Sequence, residues 1–285
     1  MDFLYTHEGF RLEFPLVEPE KARFVILGVP FDGTTSFKPG ARFGPTLVRH
    51  ATLNLESYIL DYDVDIAELP IADAGDVTVV AGDPRGTADR VRETIEELKS
   101  VNPDAIPILI GGEHSQTLGA VEALRPSSYV VFDAHLDLRD SYEDNPYNHA
   151  CVARRIRELG VKEAIFGVRS GTREEVAYAR EEGIPWVHAR DYDFDAFVEL
   201  VKSLPEPVYL SVDVDVFDLP LVPSTGTPEA GGLGFWEVVD AMEWLVENKE
   251  VAGFDIMEVG GSELGDPTAL TAAKLLFHFM GAKGR

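Results

Sequence analysis

Residues 129–137, Tyr129-Val130-Val131-Phe132-Asp133-Ala134-His135-Leu136-Asp137, join an apolar run to two outer carboxylates with an imidazole between them. The apolar half is of strand length, rich in Val and Phe, and lacks polar alternation. It reads as a strand buried on both faces of a parallel sheet. Open parallel sheets place their sites beyond the carboxyl ends of strands, which is where the polar half falls.

The same pattern recurs on either side. Apolar runs of strand length lie at 23–29, 106–110, 164–168, 208–212 and 252–257, and unusual polar clusters follow at 111–115, 133–140, 213–218 and 258–263. Amphipathic stretches of helical length lie between the runs, at 45–55, 84–99, 117–124, 151–159, 173–182, 194–203, 235–247 and 267–279. Asp83-Pro84 and Asp266-Pro267 each offer a cap followed by proline at the first helical position, and Thr172 with Glu175 has capping-box spacing. This alternation predicts a three-layer α/β domain. No repeat, low-complexity tract or Ser/Gly linker interrupts it, so one domain over 1–285 is expected.

Composition narrows the function. The chain has 285 residues, 50 Asp+Glu against 25 Lys+Arg and a formal net charge of -25. That charge argues against nucleic acid or an anionic membrane as the main partner. The single cysteine, Cys151, excludes an internal disulfide framework and a Cys-rich zinc module. It reads as a buried small residue rather than a nucleophile. The start, residues 1–8, has no basic leader with an apolar run behind it, and no apolar run nears the roughly 18 residues that span a bilayer. A cytoplasmic protein is therefore expected. Gln116 is the sole glutamine and there are five asparagines, a depletion that fits selection against thermolabile amides. There is no Gly-x-Gly-x-x-Gly run at 28–33 and no phosphate loop, so no nucleotide cofactor is expected.

The polar clusters offer metal ligands. If extended geometry persists past Phe132, alternation puts Asp133, His135 and Asp137 on one side. Asp213 and Asp215, interleaved with valines, share a face in the same way. His114 follows Gly111-Gly112-Glu113, where the glycines permit a sharp turn and close backbone approach. Unpaired carboxylates at such positions are costly, and a metal centre offsets that cost. The set His114, Asp133, His135, Asp137, Asp213 and Asp215 supplies four charges, enough to balance two divalent cations. Oxygen-rich donors with some imidazole favour manganese over structural zinc, although donor type alone leaves zinc, iron, cobalt and nickel open. Asp218 reads as a turn cap or an outer support.

This constellation resembles the ureohydrolase family of arginases, agmatinases and related guanidine hydrolases. The matching stretches are 111–115, 133–137 and 211–218, together with 28–49, Thr225-Gly226-Thr227-Pro228, Gly231-Gly232, 254–258 and the helix at 268–274. The resemblance covers almost the whole chain. It implies an arginase-like three-layer α/β/α sandwich with a mainly parallel, eight-stranded sheet, and two manganese ions. His114, Asp133, Asp137 and Asp213 match the ligands of one metal, and Asp133, His135, Asp213 and Asp215 those of the other. A homotrimer or homohexamer is implied. The sequence departs from the family pattern at Leu219 and at Gly260-Gly261, where prolines are frequent.

The implied reaction is metal-assisted hydrolysis of a guanidinium group, releasing urea and an amine. The resemblance carries proton transfer to His149 and guanidinium binding to Glu258, and Asp137 is expected to accept a hydrogen bond from the attacking oxygen. Asp255 reads as a support for a metal-ligand histidine. An arginase-like Ser-Gly-Asn run is absent from 141–146. Glu143 and Asp144 in that loop would disfavour a substrate carboxylate and favour a second cation. Agmatine, cleaved to putrescine and urea, is the expected substrate. Aminopropylagmatine, cleaved to spermidine and urea, is the alternative, followed by the substrates of arginase, guanidinobutyrase and formiminoglutamase. A non-enzymatic metal-dependent scaffold is the reading from another class, and the complete ligand set argues against it.

Overall fold

The computed structural model describes residues 3–7 and 12–285. Met1, Asp2 and Glu8, part of the stretch read above for a leader, lie outside the described residues. The main sheet contains β1 (Thr6–His7), β2 (Phe24–Val29), β5 (Ile71–Val77), β6 (Ile106–Gly111), β7 (Ser128–Phe132), β8 (Lys162–Val168), β9 (Trp186–His188), β10 (Val208–Asp213) and β11 (Val251–Met257). A two-stranded hairpin, β3 (Tyr58–Ile59) with β4 (Val64–Asp65), stands apart. The helices are α1 (Gly44–Thr52), α2 (Pro84–Val101), α3 (Thr117–Leu124), α4 (Val152–Glu158), α5 (Arg173–Glu182), α6 (Phe194–Lys202), α7 (Phe235–Asn248) and α8 (Pro267–Gly284).

Strand order is β1-β5-β2-β6-β11-β10-β7-β8-β9. Every neighbouring pair is parallel except β1 with β5. Eight parallel strands therefore stand as expected, and the antiparallel Thr6–His7 edge is an addition to them. Strand alternation sorts the core into two faces. Phe24, Ile26, Val130, Phe132, Leu210, Val212, Phe254 and Ile256 pack with side chains of α1, α6, α7 and α8. Val25, Leu27, Leu109, Tyr129, Val131, Ile165 and Tyr209 pack with α2, α3, α4 and α5. Phe254 stacks on Phe279 of α8 at 4.2 Å between centroids. No helix among the described residues is long and apolar enough to cross a membrane.

The expected caps are formed. Asp83 accepts from Gly86 N at the start of α2, Asp266 accepts from Thr268 N at the start of α8, and Thr172 and Glu175 close a reciprocal capping box. One buried strand escaped the sequence reading. β5 is Ile-Ala-Asp-Ala-Gly-Asp-Val, and its polar residues break the apolar signature although all seven residues are buried. The fully buried Arg49 of α1 resolves this: its Nε and Nη2 donate to both oxygens of Asp73 at 2.9 and 2.8 Å, and Nη1 donates to Asp76 at 2.5 Å. Such a desolvated cluster holds only while every partner is present.

Candidate active site

Four adjacent central strands, β6, β11, β10 and β7, end in one row. Register pairs Phe132 with Val212, Asp213 with Met257, and Ile110 with Ile256. The next residues out are Asp133, Glu258 and the Gly111-Gly112-Glu113-His114 turn, with Asp213 itself closing β10. Gly112 has to be glycine, because a Cβ there would lie 2.3 Å from the carbonyl oxygens of Val29 and Phe31. That close approach lets the chain swing His114 onto a 3₁₀ turn under the sheet edge.

The extended alternation expected beyond Phe132 and Val212 is corrected by the structure. β7 stops at Phe132, and Asp137 has φ of 50°, a left-handed backbone that aspartate tolerates better than most residues. Asp215 stands on a 3₁₀ turn at Val214–Val216, where its own N–H donates to the Asp213 side chain. Turns, not a continuing strand, bring the six side chains together.

Two groups result. His114, Asp133 and Asp213 offer ligand atoms within 4.8 Å of one another, as do Asp133, His135 and Asp215, with Asp133 common to both. His114 Nδ1 lies 3.1 Å from Asp133 Oδ2, 3.4 Å from Asp137 Oδ2 and 3.4 Å from Asp213 Oδ2. His135 Nδ1 lies 3.0 Å from Asp215 Oδ2 and 3.5 Å from Asp133 Oδ1. Backbone amides orient three of the carboxylates: His135 N donates to Asp133 at 2.6 Å, Asp215 N to Asp213 at 2.8 Å and Ala134 N to Asp215 at 3.0 Å.

The residues fit a cation. His114 Nδ1 is buried and makes no aligned hydrogen bond, although carboxylates surround it. Its other nitrogen is committed. Nε2 stands 2.9 Å from Ser211 Oγ and 3.1 Å from Tyr129 OH, and Ser211 donates its proton to Asp255 at 2.5 Å. Ser211 must therefore accept from Nε2–H, which leaves Nδ1 as the bare lone pair facing the carboxylates. Tyr209 and Thr117 complete the shell of Asp255 at 2.8 and 2.7 Å. Asp255 thus braces His114 through Ser211.

Charge in the cluster points the same way. Burial, then the neighbouring Asp133, push the Asp137 carboxyl up to about 7. Burial, then Asp215 and Asp133, raise that of Asp213. Asp133 goes the other way: burial would raise it, but His114 and His135 hold it below the ordinary range. Carboxylates that resist sharing a site accept a divalent cation readily.

A cavity of about 220 Å³ opens over this cluster, lined by His114, His135, Asp137, Asp213 and Glu258 at its polar end and by Ser36, Arg139, Tyr142, His149, Ala150, Ser170, Gly171, Thr172, Glu175 and Thr227. Glu258, with φ of 60°, accepts from His114 N at 2.8 Å and donates its own N–H to Gly112 O at 2.8 Å. Burial and then Glu113 raise its carboxyl. His149 opens a 3₁₀ turn capped by Asn148, and its ring lies in the cavity wall. Burial, then the nearby His135, hold that ring down to about 4. Cys151 is buried behind it and burial pushes its thiol up to about 12, unsuited to a nucleophile.

Glu143 and Asp144 are placed elsewhere than expected. They are the central residues of a turn closed by mutual Tyr142–Asn145 backbone hydrogen bonds, with φ of 50° and 59°. Two successive left-handed residues turn both carboxylates to solvent, and neither lines the cavity. Tyr142 and Arg139 occupy the wall in their place. Asp218 caps a turn through Gly231 N at 2.8 Å and Gly232 N at 3.3 Å.

Several contributors were missed from sequence. Glu113 lay inside a quoted motif but was not singled out. Arg169 donates to the backbone oxygens of Asp215, Val216, Phe217, Glu229 and Ala230, tying the Asp215 turn to a neighbouring loop. An arginine after a strand carries no signal for that task.

A model of the Arginase family matches residues 22–281. The chain belongs to the arginase family. Within it, this chain is 81% identical over 285 residues to the N(1)-aminopropylagmatine ureohydrolase of Thermococcus kodakarensis, covering 100% of this chain and 99% of that protein. It is 67% identical over 285 residues to the agmatinase of Pyrococcus horikoshii, covering 99% of both. The crystal structure of agmatine ureohydrolase of Thermoplasma volcanium superposes with a TM-score of 0.89 at 35% identity, over 98% of this chain and 95% of that one. The three-layer arginase architecture is thereby common to both structures, and the chain is an arginase-family ureohydrolase.

Proposed function

We propose that this ureohydrolase cleaves a linear guanidine whose far end is an amine, with agmatine as the core substrate, yielding urea and putrescine. The observation that carries the reading is Glu258: a buried carboxylate at the polar end of the cavity, fixed by His114 N beside the ligand cluster. A carboxylate so placed pairs with two guanidinium nitrogens and sets the central carbon against the cluster.

The tail end supports an amine over a carboxylate. Among the described residues that line the cavity, Arg139 is the sole Lys or Arg, and it is already engaged. Its guanidinium lies 4.3 Å from the Tyr142 ring centroid, and its Nε lies 3.8 Å from Glu175 Oε2. Among the described lining residues no uncommitted Lys or Arg is left to receive a substrate carboxylate, while the ring and Glu175 already form a surface that holds a cation. The names of the relatives, agmatinase and N(1)-aminopropylagmatine ureohydrolase, agree with an amine tail. A second reading, the aminopropyl-extended substrate giving spermidine, is favoured by the 81% identical relative. Both share the guanidinium–butyl–amine core.

Two divalent cations, manganese by the oxygen-rich donor set, would be held by His114, Asp133, Asp137 and Asp213 and by Asp133, His135, Asp213 and Asp215, supplying Lewis-acid activation of water. Glu258 orients the guanidinium. Asp137 accepts a hydrogen bond from the attacking oxygen. His149 takes up the proton that water releases and passes it to the departing amine, so the C–N bond breaks without expelling an amide anion. Assembly as a homotrimer or homohexamer belongs to the same proposal. The test is Glu258→Gln, which keeps size and removes charge. We expect kcat/KM for agmatine to fall about 100-fold, the scale of losing a charged hydrogen-bond partner. A fall of less than about threefold would remove Glu258 from guanidinium binding.

A further inference from the structure

We propose that Glu113 and Thr34 are positioning residues that lock His149 in the Nδ1–H tautomer, leaving Nε2 as the bare nitrogen that faces the cavity. The inference rests on the reading of His149 as the proton carrier and extends it to the residues that prepare the ring.

The argument follows the protons. Glu113, 1% exposed, is enclosed by donors: Thr34 N at 2.5 Å, Thr34 Oγ1 at 2.7 Å, Ser115 Oγ at 3.2 Å and Thr35 Oγ1 at 3.3 Å. Ser115 Oγ itself accepts from Gln116 Nε2 at 2.9 Å, so its own proton is free for Glu113. As a carboxylate Glu113 accepts from Thr34, and the single hydroxyl proton of Thr34 is spent on that 2.7 Å contact rather than on the 3.2 Å contact to His149. Thr35 Oγ1 lies 3.3 Å from both Glu113 and Asp32 O. Thr34 Oγ1 has only lone pairs left to offer.

His149 approaches those lone pairs twice. Its backbone N lies 3.2 Å from Thr34 Oγ1, and its ring Nδ1 also lies 3.2 Å from it. An oxygen that can only accept requires Nδ1 to carry the proton. In the neutral ring Nε2 is then unprotonated. Ser36 Oγ, a lining residue 3.4 Å from Nε2, can donate to that lone pair. Neutral histidine in water favours the opposite, Nε2–H form, so this arrangement is imposed by the fold. A carrier that takes a proton from the cavity needs its lone pair on the cavity side. The Glu113–Thr34 pair supplies that orientation, with Thr34 115 residues from His149 in sequence.

The experiment uses the full-length protein labelled with ¹⁵N-histidine and loaded with zinc, a diamagnetic divalent ion. Long-range ¹H–¹⁵N correlation spectra separate protonated from bare ring nitrogens, and His149→Ala identifies the relevant signals among the seven histidines. We expect wild type to show Nδ1 protonated and Nε2 bare, Thr34→Val to move His149 toward Nε2–H, and Thr34→Ser to restore the wild-type pattern. In urea-release assays with manganese, Thr34→Val should lower kcat about tenfold or more with KM changed less than about twofold, and Thr34→Ser should stay within about threefold of wild type. An Nε2–H ring in wild type, or an unchanged tautomer in Thr34→Val, overturns the proposal. If Thr34→Val does not fold, the wild-type and Thr34→Ser spectra still decide it. Full turnover in His149→Ala would end the proton-carrier reading alone, leaving the tautomer to be judged on the spectra.

Discussion

Replacing Ser211 with alanine probes the metal centre without touching a proposed ligand. Ser211 is fully buried, accepts from His114 Nε2 at 2.9 Å and donates to Asp255 at 2.5 Å. Ser211→Ala leaves Nε2–H with Tyr129 OH at 3.1 Å as its remaining neighbour, and Asp255 loses one of three side-chain donors. The ring is then freer to rotate or to shift its proton to Nδ1, the nitrogen that must stay bare. Losing such an outer partner typically weakens metal affinity about 10- to 100-fold, or about 1.4–2.8 kcal/mol. The assay is calorimetric titration of manganese into chelator-stripped protein. Thr117→Val is the control: it removes a donor at 2.7 Å from the same Asp255 but does not contact His114 Nε2. We expect Ser211→Ala to lose affinity at one of two sites and Thr117→Val to lose markedly less. Equal losses in both variants, or wild-type affinity in Ser211→Ala, would refute the idea that the Asp255–Ser211 relay holds His114.

His149→Ala should keep its metal content while turnover falls by about 10²- to 10⁴-fold, the usual share of a positioned acid–base group; metal analysis beside steady-state kinetics checks both halves. Glu163→Gln should stabilise the protein at high pH. Glu163 is buried in β8, no hydrogen bond reaches either carboxylate oxygen, and burial raises its carboxyl well above the ordinary range. The folded state then binds a proton that the unfolded state releases, so stability is full below the ordinary glutamate range and is lost as pH rises through the raised folded value, at a limiting slope of about 1.4 kcal/mol per pH unit. Chemical denaturation of wild type and variant across that range should show the curves diverging upward in pH; parallel curves would contradict the assignment.

What the sequence could and could not disclose follows from where each partner sits. The runs at 106–110, 129–132, 208–212 and 252–257 were legible because both faces of each strand are buried, leaving no polar alternation to blur them. β5 was not, because Asp73 and Asp76 pair with an arginine on a separate helix. β9 was missed for a different reason: it is a three-residue edge strand, too short to leave a pattern. At the site, residue type was informative and geometry was not. Alternation does not carry Asp137 to the side of Asp133 and His135, since Asp137 reaches His114 through a left-handed turn. The acidic pair Glu143-Asp144 had the charge expected of a cation-selective mouth, but paired positive φ angles point it to solvent. Thr34 could not be connected to His149 from sequence, because their contact spans 115 residues and depends on how two loops pack.

The central claim is hydrolysis of a guanidine with an amine tail. It is tested most directly by urea release with manganese, compared as kcat/KM for agmatine, N(1)-aminopropylagmatine, arginine and guanidinobutyrate at matched enzyme concentration. The account predicts that both amine-tailed substrates exceed both carboxylate-bearing ones by about tenfold or more, because Arg139, the one Lys or Arg among the described lining residues, is already engaged by Tyr142 and Glu175. Arginine or guanidinobutyrate turned over as efficiently as agmatine, or urea from none of the four with the metal sites filled, would contradict it.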